Sequence, residues 1–196
     1  DCPQAMPSDE EPVHPLQAMR ALRDAMKPED TLVCDSGFNQ IWGGQFYEVP
    51  RAGRSYVGPR GMGTMGFGFP AAVGAKIAQP DKRFVALVGD GGFMMLIHEL
   101  ETSLRLNAPV VICLLNNRSL EYCKHAQLGL LGGRFISTDL SDTNFAAVAE
   151  AFGCRGVRVT RSSELQAAIS AALESPVTTL VEIITPDSAK PDGVPF

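Results

Sequence analysis

The fold is decided by two stretches, Arg83-Phe84-Val85-Ala86-Leu87-Val88-Gly89-Asp90-Gly91-Gly92 and Val110-Val111-Ile112-Cys113-Leu114-Leu115-Asn116-Asn117. Each starts as an unbroken apolar run of strand length, the character of a strand covered on both faces. Each then ends abruptly in glycine and polar residues. Between them Phe93, Leu96, Ile97, Leu100 and Leu104 recur at three- and four-residue spacing, which predicts one helix over 93–106. Strand, crossover helix and strand in this order make a right-handed βαβ unit.

Working outward, Leu16, Met19, Leu22 and Met26 predict a helix from Pro15 that Pro28 stops, and Thr31 to Cys34 reads as a short buried strand ending at Asp35-Ser36-Gly37. Phe38 to Arg60 reads as irregular, and Pro70 to Ala78 as a helix whose small residues allow close packing on a sheet. Toward the C-terminus, Asn144 to Phe152 is a predicted helix capped by Gly153, and Gly156 to Val159 a short strand. Ser163 to Leu173 is a predicted helix with a Ser163…Gln166 capping box, and Thr178 to Ile184 a last strand. Alternating strands and helices argue an α/β fold with a doubly wound, mostly parallel sheet and helices on both faces. The expected organisation is a tail or linker remnant over 1–11, one domain over 12–186 and a tail over 187–196.

Composition narrows the function. The 196 residues carry 22 acidic and 17 basic side chains, a net charge of −5, which argues against a nucleic-acid surface built on clustered Lys and Arg. No apolar run approaches the ~20 residues that span a bilayer. Asp1 to Glu11 is acidic and contains prolines, unlike a signal peptide. The five cysteines form no Cys-x-x-Cys pair, and Cys34 and Cys113 lie inside apolar runs, as buried free thiols do. A soluble cytoplasmic domain is therefore expected. Nine of the 19 glycines fall between Gly58 and Gly92, a density that marks close approach of backbone to a ligand or to other backbone.

In an open parallel sheet, ligands sit beyond the carboxyl ends of the strands. If the two buried strands are neighbours, Asp90 and Asn117 lie side by side there. A carboxylate, an amide oxygen and a free carbonyl form part of the octahedral oxygen shell that Mg²⁺ prefers, with phosphate oxygens and water completing it. The glycines after Asp90 let backbone N–H groups approach a phosphate, and a helix starting near Phe93 would point its positive end at it. Either motif alone is equally a strand-to-helix turn; their pairing, with 24 residues intervening between Gly91 and Asn116, points to a site.

The Gly89-Asp90-Gly91…Asn116-Asn117 pair resembles the signature of thiamine-diphosphate enzymes. From about Pro12 to Pro186 the chain resembles the C-terminal cofactor-binding domain of the acetolactate synthase group, most specifically at Gly61-Met62-Gly63-Thr64-Met65-Gly66-Phe67-Gly68-Phe69-Pro70-Ala71-Ala72. The resemblance implies that Asp90, the Asn117 side chain and the Ser119 carbonyl bind Mg²⁺, and that Gly91 and Gly92 line the diphosphate of thiamine diphosphate. It places Gly37, Phe38 and Asn39 on the other side, and counts Thr64 and Leu120 among the cofactor contacts. Met65 would wedge under the bend between the two rings, and the Gly63 carbonyl would hold the 4′-amino group. Without the flanking glycines, Met65 reads as a core residue.

The resemblance also implies a second, pyrimidine-binding domain or partner subunit, supplying the glutamate that activates the ring, in a homo- or hetero-oligomer acting on a small 2-oxo acid. No such domain fits within 196 residues, so a fragment of a longer enzyme or a separate subunit is expected. Glu99 and Glu101 read as residues of an ordinary crossover helix. Two departures stand out. The acetolactate synthases commonly have glycine where Glu121 stands, and a substrate-sizing tryptophan near Ala126 is missing. Leu128 to Ser137 is expected to form a mobile cover, and His125 is read either as a proton donor or as an exposed loop histidine without a catalytic task.

Two other functions remain open at this level. A non-catalytic cofactor-binding module is one. The other is a dinucleotide-binding oxidoreductase, since Gly61-x-Gly63-x-x-Gly66 has the right spacing and Asp90 lies 24 residues past Gly66. That fingerprint needs a buried strand directly before it, and Arg54 to Arg60 is a poor one. His98-Glu99 lacks the second histidine of a zinc motif.

Overall fold

The computed structural model of the chain describes Asp9, residues 11–50, 52–187, 189–191 and Gly193. The expected strands form because their apolar runs have nowhere to go but between two helical layers. The sheet comprises β1 (Thr31–Cys34), β2 (Tyr56–Val57, inside the stretch read as irregular), β3 (Phe84–Gly89), β4 (Val111–Asn116), β5 (Arg155–Val159) and β6 (Thr179–Ile184). All pair in parallel, in the order β2-β1-β3-β4-β6-β5. The fold is thus the expected α/β arrangement. Half of the predicted tail over 187–196, and most of the one over 1–11, lies outside the described residues.

Side-chain alternation splits the core in two. On one face, Leu32, Cys34, Val85, Leu87, Cys113 and Val181 pack against α1 (Pro15–Ala25), α2 (Phe38–Phe46) and α8 (Leu165–Leu173). On the other, Val33, Ala86, Val88, Ile112, Leu114 and Leu180 meet α3 (Gly68–Ala78), α4 (Asp90–Met95), α5 (Glu99–Arg105) and α7 (Phe145–Phe152). A further helix, α6 (Glu121–Leu131), lies beyond the β4 tip. Among the described residues no helix is long and apolar enough to cross a membrane.

Four expectations are corrected. Residues 38–60 are irregular only in part: α2 occupies Phe38–Phe46 despite Gly43 and Gly44, where the missing side chain is needed because a Cβ at Gly43 would lie 2.7 Å from the Cys34 sulfur. The helix expected over 93–106 begins earlier, at Asp90, and is divided. Leu96 N–H bonds to the Phe93 carbonyl and Glu99 N–H to the Leu96 carbonyl, both at 3.1 Å, a tightened turn between α4 and α5. The Ser163…Gln166 box does not form. A 3₁₀ turn over Ser162–Glu164 precedes α8, Glu164 accepts from Thr160 and Arg161 N–H at 3.2 and 3.3 Å, and Ser163 donates to Asp9. Finally, α6 runs through Leu131, so the first four residues of the expected mobile cover are helix. Gln127 fastens the Ile136 backbone in both directions, at 3.1 and 2.8 Å.

The predicted Gly153 cap holds at α7 with φ 96°, while Asn144, read as the first helical residue, is the cap at the other end, its side chain accepting from Ala147 N–H. Behind this helix, Gly156 of β5 passes so close that a Cβ would sit 2.1 Å from the Ala146 carbonyl oxygen, a clash between two backbones that no rotamer relieves. Gly156→Ala is expected to destabilise the fold by about 2–4 kcal/mol, measured as a lower urea midpoint; an unchanged midpoint would contradict this packing.

Candidate functional site

Because every strand is parallel, all carboxyl ends face one way. The centre of that end is the β3–β4 pair, in register from Val85 opposite Val111 to Gly89 opposite Leu115. The next residues out are Asp90 and, one step past Asn116, Asn117. The expected neighbourhood of the two tips is therefore present.

Asp90 is 3 % exposed. Its Oδ1 accepts from Gly91 N–H at 2.7 Å, while Oδ2 is buried with no hydrogen-bond partner. Burial pushes the carboxyl up to about 6, held in check by the N–H groups of Gly91, Arg118, Ser119 and Asn117. A buried carboxylate oxygen left without a donor is costly unless something outside the chain satisfies it.

The two asparagines divide their work. Asn116 is buried and structural: its amide nitrogen donates to Glu182 at 2.7 Å and its oxygen accepts from Arg118 N–H at 3.2 Å. Arg118 takes φ 58°, turning the chain sharply at the tip. Asn117 is turned into the site. Its Oδ1 accepts from Ser119 N–H at 3.1 Å and its Nδ2 donates to Glu121 at 3.2 Å. The turn is pinned from outside by Leu120 N–H to the Thr138 carbonyl and Leu140 N–H to the Arg118 carbonyl, both 2.8 Å.

Glycines shape the floor. A Cβ on Gly91 would lie 2.4 Å from Leu120, and one on Gly92 2.2 Å from an Asp35 carboxylate oxygen. Asp35, at the β1 tip, is fully buried. It accepts from Ser36 and Phe67 N–H through Oδ1 at 2.8 and 2.9 Å, and from Gly66 N–H through Oδ2 at 3.0 Å. Burial raises its pKa and these donors oppose the rise. The result is a clamp that holds the glycine-rich loop before α3 against the sheet, with Met65 at its inner edge.

Between these tips lies an open cleft of about 110 Å³. Gly37, Phe38, Asn39, Met65, Asp90, Gly91, Gly92, Asn117, Ser119 and Leu120 all line it, joined by Ser36, Trp42, Glu121, Tyr122 and Thr185. Gly63 and Thr64 are exposed on the rim of the loop and are not among the lining residues. Asn39 is anchored by its amide nitrogen to the Asp35 and Leu87 carbonyls at 2.8 and 3.2 Å.

Residue-type reasoning missed Asp35 and Glu121. Asp35 carried a signal, an acid at a strand tip like Asp90. Glu121 is 8 % exposed, and burial with the charges of Asp187 and Asp90 pushes its carboxyl up to about 7. His125 is not an exposed loop histidine. It sits on α6 with 13 % of its side chain exposed, edge-on to Phe38 at 5.6 Å and 3.8 Å from Glu121, and it is not among the lining residues. Burial and Lys190 lower its pKa.

The dinucleotide arrangement does not hold. The glycine-rich loop follows a two-residue, half-buried edge strand, β2, and β1 separates that strand from β3, which carries Asp90. Glu99 and Glu101 lie on α5, as expected of a crossover helix.

Comparison with known proteins agrees with this geometry. The profile of the thiamine pyrophosphate enzyme, C-terminal TPP binding domain family matches residues 35–183. The chain is 39% identical over 151 residues to the acetolactate synthase isozyme 2 large subunit of Escherichia coli (strain K12), covering 76% of this chain and 27% of that protein. It is 35% identical over 185 residues to acetolactate synthase 2, chloroplastic, of Zea mays, covering 90% and 29%. It is 32% identical over 183 residues to the acetolactate synthase large subunit of Parasynechococcus marenigrum (strain WH8102), covering 92% and 29%. The chain thus spans under a third of the length of these relatives. With its parallel sheet and paired strand-tip motifs, it belongs to the C-terminal TPP binding domain family of thiamine pyrophosphate enzymes.

Proposed function

We propose that this chain is the Mg²⁺-dependent diphosphate-binding part of a thiamine-diphosphate enzyme that decarboxylates or ligates small 2-oxo acids, in the manner of acetolactate synthases. The observation that carries the reading is the unpartnered, buried Oδ2 of Asp90, adjacent to the Asn117 turn. The donor set fits the ion: one carboxylate, one amide oxygen and a backbone carbonyl are hard oxygen ligands of the kind Mg²⁺ takes.

Asp90, the Asn117 oxygen and the Ser119 carbonyl would hold the metal. Gly91 and Gly92 leave the floor free of side chains for a diphosphate, with Leu120 on one side and Gly37, Phe38 and Asn39 opposite. Met65, clamped through Gly66 and Phe67 to Asp35, would give apolar support to the coenzyme, and Gly63 and Thr64 precede it on the rim. The bound coenzyme would supply an electron sink for loss of CO₂. The chain's own contribution is orientation and exclusion of water around that centre.

The ring-activating glutamate would come from a pyrimidine-binding domain or partner subunit in an oligomer. Met62 at 93% exposure, with exposed Met94 and Met95, offers apolar surface on the loop and helix that border the cleft. The free thiols of Cys34, Cys113, Cys123 and Cys154 suit a reducing compartment such as the cytoplasm.

Titration calorimetry of the intact protein with thiamine diphosphate and Mg²⁺ should show binding that Asp90→Ala weakens at least ~100-fold; retained affinity in the variant would overturn the assignment. Asp90 also predicts a stability effect in chelator-treated protein. Its pKa is about 6 folded against an ordinary 3.8, so the folded state keeps its proton longer. Stability therefore falls as pH rises between these values, and the cost is complete above pH 6. Asp90→Asn removes that cost. At pH 7 the variant is expected to be more stable to urea by on the order of 1–3 kcal/mol, the gain fading by pH 4; a variant less stable than its parent at pH 7 would contradict this.

A further inference from the structure

A cation can use only the oxygen of the Asn117 amide, and the two ends of an amide are alike in size. Something has to decide which end faces the Asp90 side. Ser119 N–H favours the oxygen at 3.1 Å, but this single bond comes from within the same turn. The second constraint is Glu121. One of its carboxyl oxygens accepts from the Asn117 nitrogen at 3.2 Å, which fixes that end of the amide on the α6 side. The oxygen keeps a lone pair beyond its bond to Ser119.

Glu121 is well placed to act in this way. It stands at the first residue of α6, one turn past Asn117, with only 8 % of its side chain exposed. His125, one turn further along, lies 3.8 Å from its other oxygen, and Glu121 is itself part of the cleft wall. A buried carboxylate in an already acidic site opposes folding, so its presence calls for a local reason. The acetolactate synthase group commonly has glycine at this position, so the resemblance offers none.

We infer that Glu121 is a positioning residue for the cation site, holding the Asn117 amide with its oxygen toward the metal; the inference rests on the reading of Asn117 as a metal ligand. Hydrogen-bonded supports of this kind change metal affinity without touching the ion.

The test is uptake of Mn²⁺, an oxygen-seeking substitute for Mg²⁺ with a paramagnetic signal when free. Intact protein at saturating thiamine diphosphate is titrated with Mn²⁺ and free ion is read by electron paramagnetic resonance. Glu121→Ala is expected to raise the Mn²⁺ Kd about tenfold or more, whereas Glu121→Gln, which still offers an acceptor to the Asn117 nitrogen, should stay within about threefold of the parent. An unchanged or lower Kd in Glu121→Ala would overturn the inference. So would a Glu121→Gln variant as weak as Glu121→Ala, because charge rather than amide orientation would then be responsible. A parent that takes up no Mn²⁺ overturns the underlying reading of the site, and the inference with it.

Discussion

The parallel pairing of β3 with β4 at the centre of the sheet is the constraint on which the rest depends. Two neighbouring parallel strands lie about 4.8 Å apart, and these two are in register almost to their tips. Whatever follows them is forced into one small volume. Asp90 and the Asn117 turn follow them. The apolar residues within the strands are buried to 7 % exposure or less, so the pairing is held by the two cores and cannot shift register without exposing them.

Two buried aspartates show how one residue type takes different roles. Asp35 meets backbone N–H groups with both carboxylate oxygens, and its charge is spent on holding the glycine-rich loop in place. Asp90 has one satisfied oxygen and one orphan. Satisfied, a buried carboxylate is a structural fastener; unsatisfied, it is negative potential aimed at the cleft. The two are linked through Gly92, whose missing side chain lets an Asp35 oxygen approach the start of α4. In this way the clamp on the Met65 loop and the β3 tip share one packing arrangement.

The sequence made legible whatever depends on local pattern. The strands β1, β3, β4 and β6 stand out because continuous apolar runs between polar ends have one economical fate, and α7 because Asn144 and Gly153 mark its ends by chemistry that acts within a turn. Asp90 and Asn117 were legible for the same reason, as polar residues at strand tips. What was hidden depends on contacts distant in sequence. Glycines within α2 mask a helix that forms because it fits against Cys34 and Tyr56. The break after α4 places Leu96 next to Gly66, a neighbour 30 residues away in the chain. His125 looked exposed until Phe38 was brought against it, and Glu121 acquired its role only through burial beside Asn117.

The central claim is most directly tested by a crystal structure of the intact protein grown with Mn²⁺ and thiamine diphosphate, using anomalous scattering to locate the metal. The account predicts a single strong peak at the β3 and β4 tips, within about 2.0–2.3 Å of an Asp90 oxygen and the Asn117 oxygen. A peak elsewhere, or a coenzyme diphosphate bound away from Gly91 and Gly92, would contradict it.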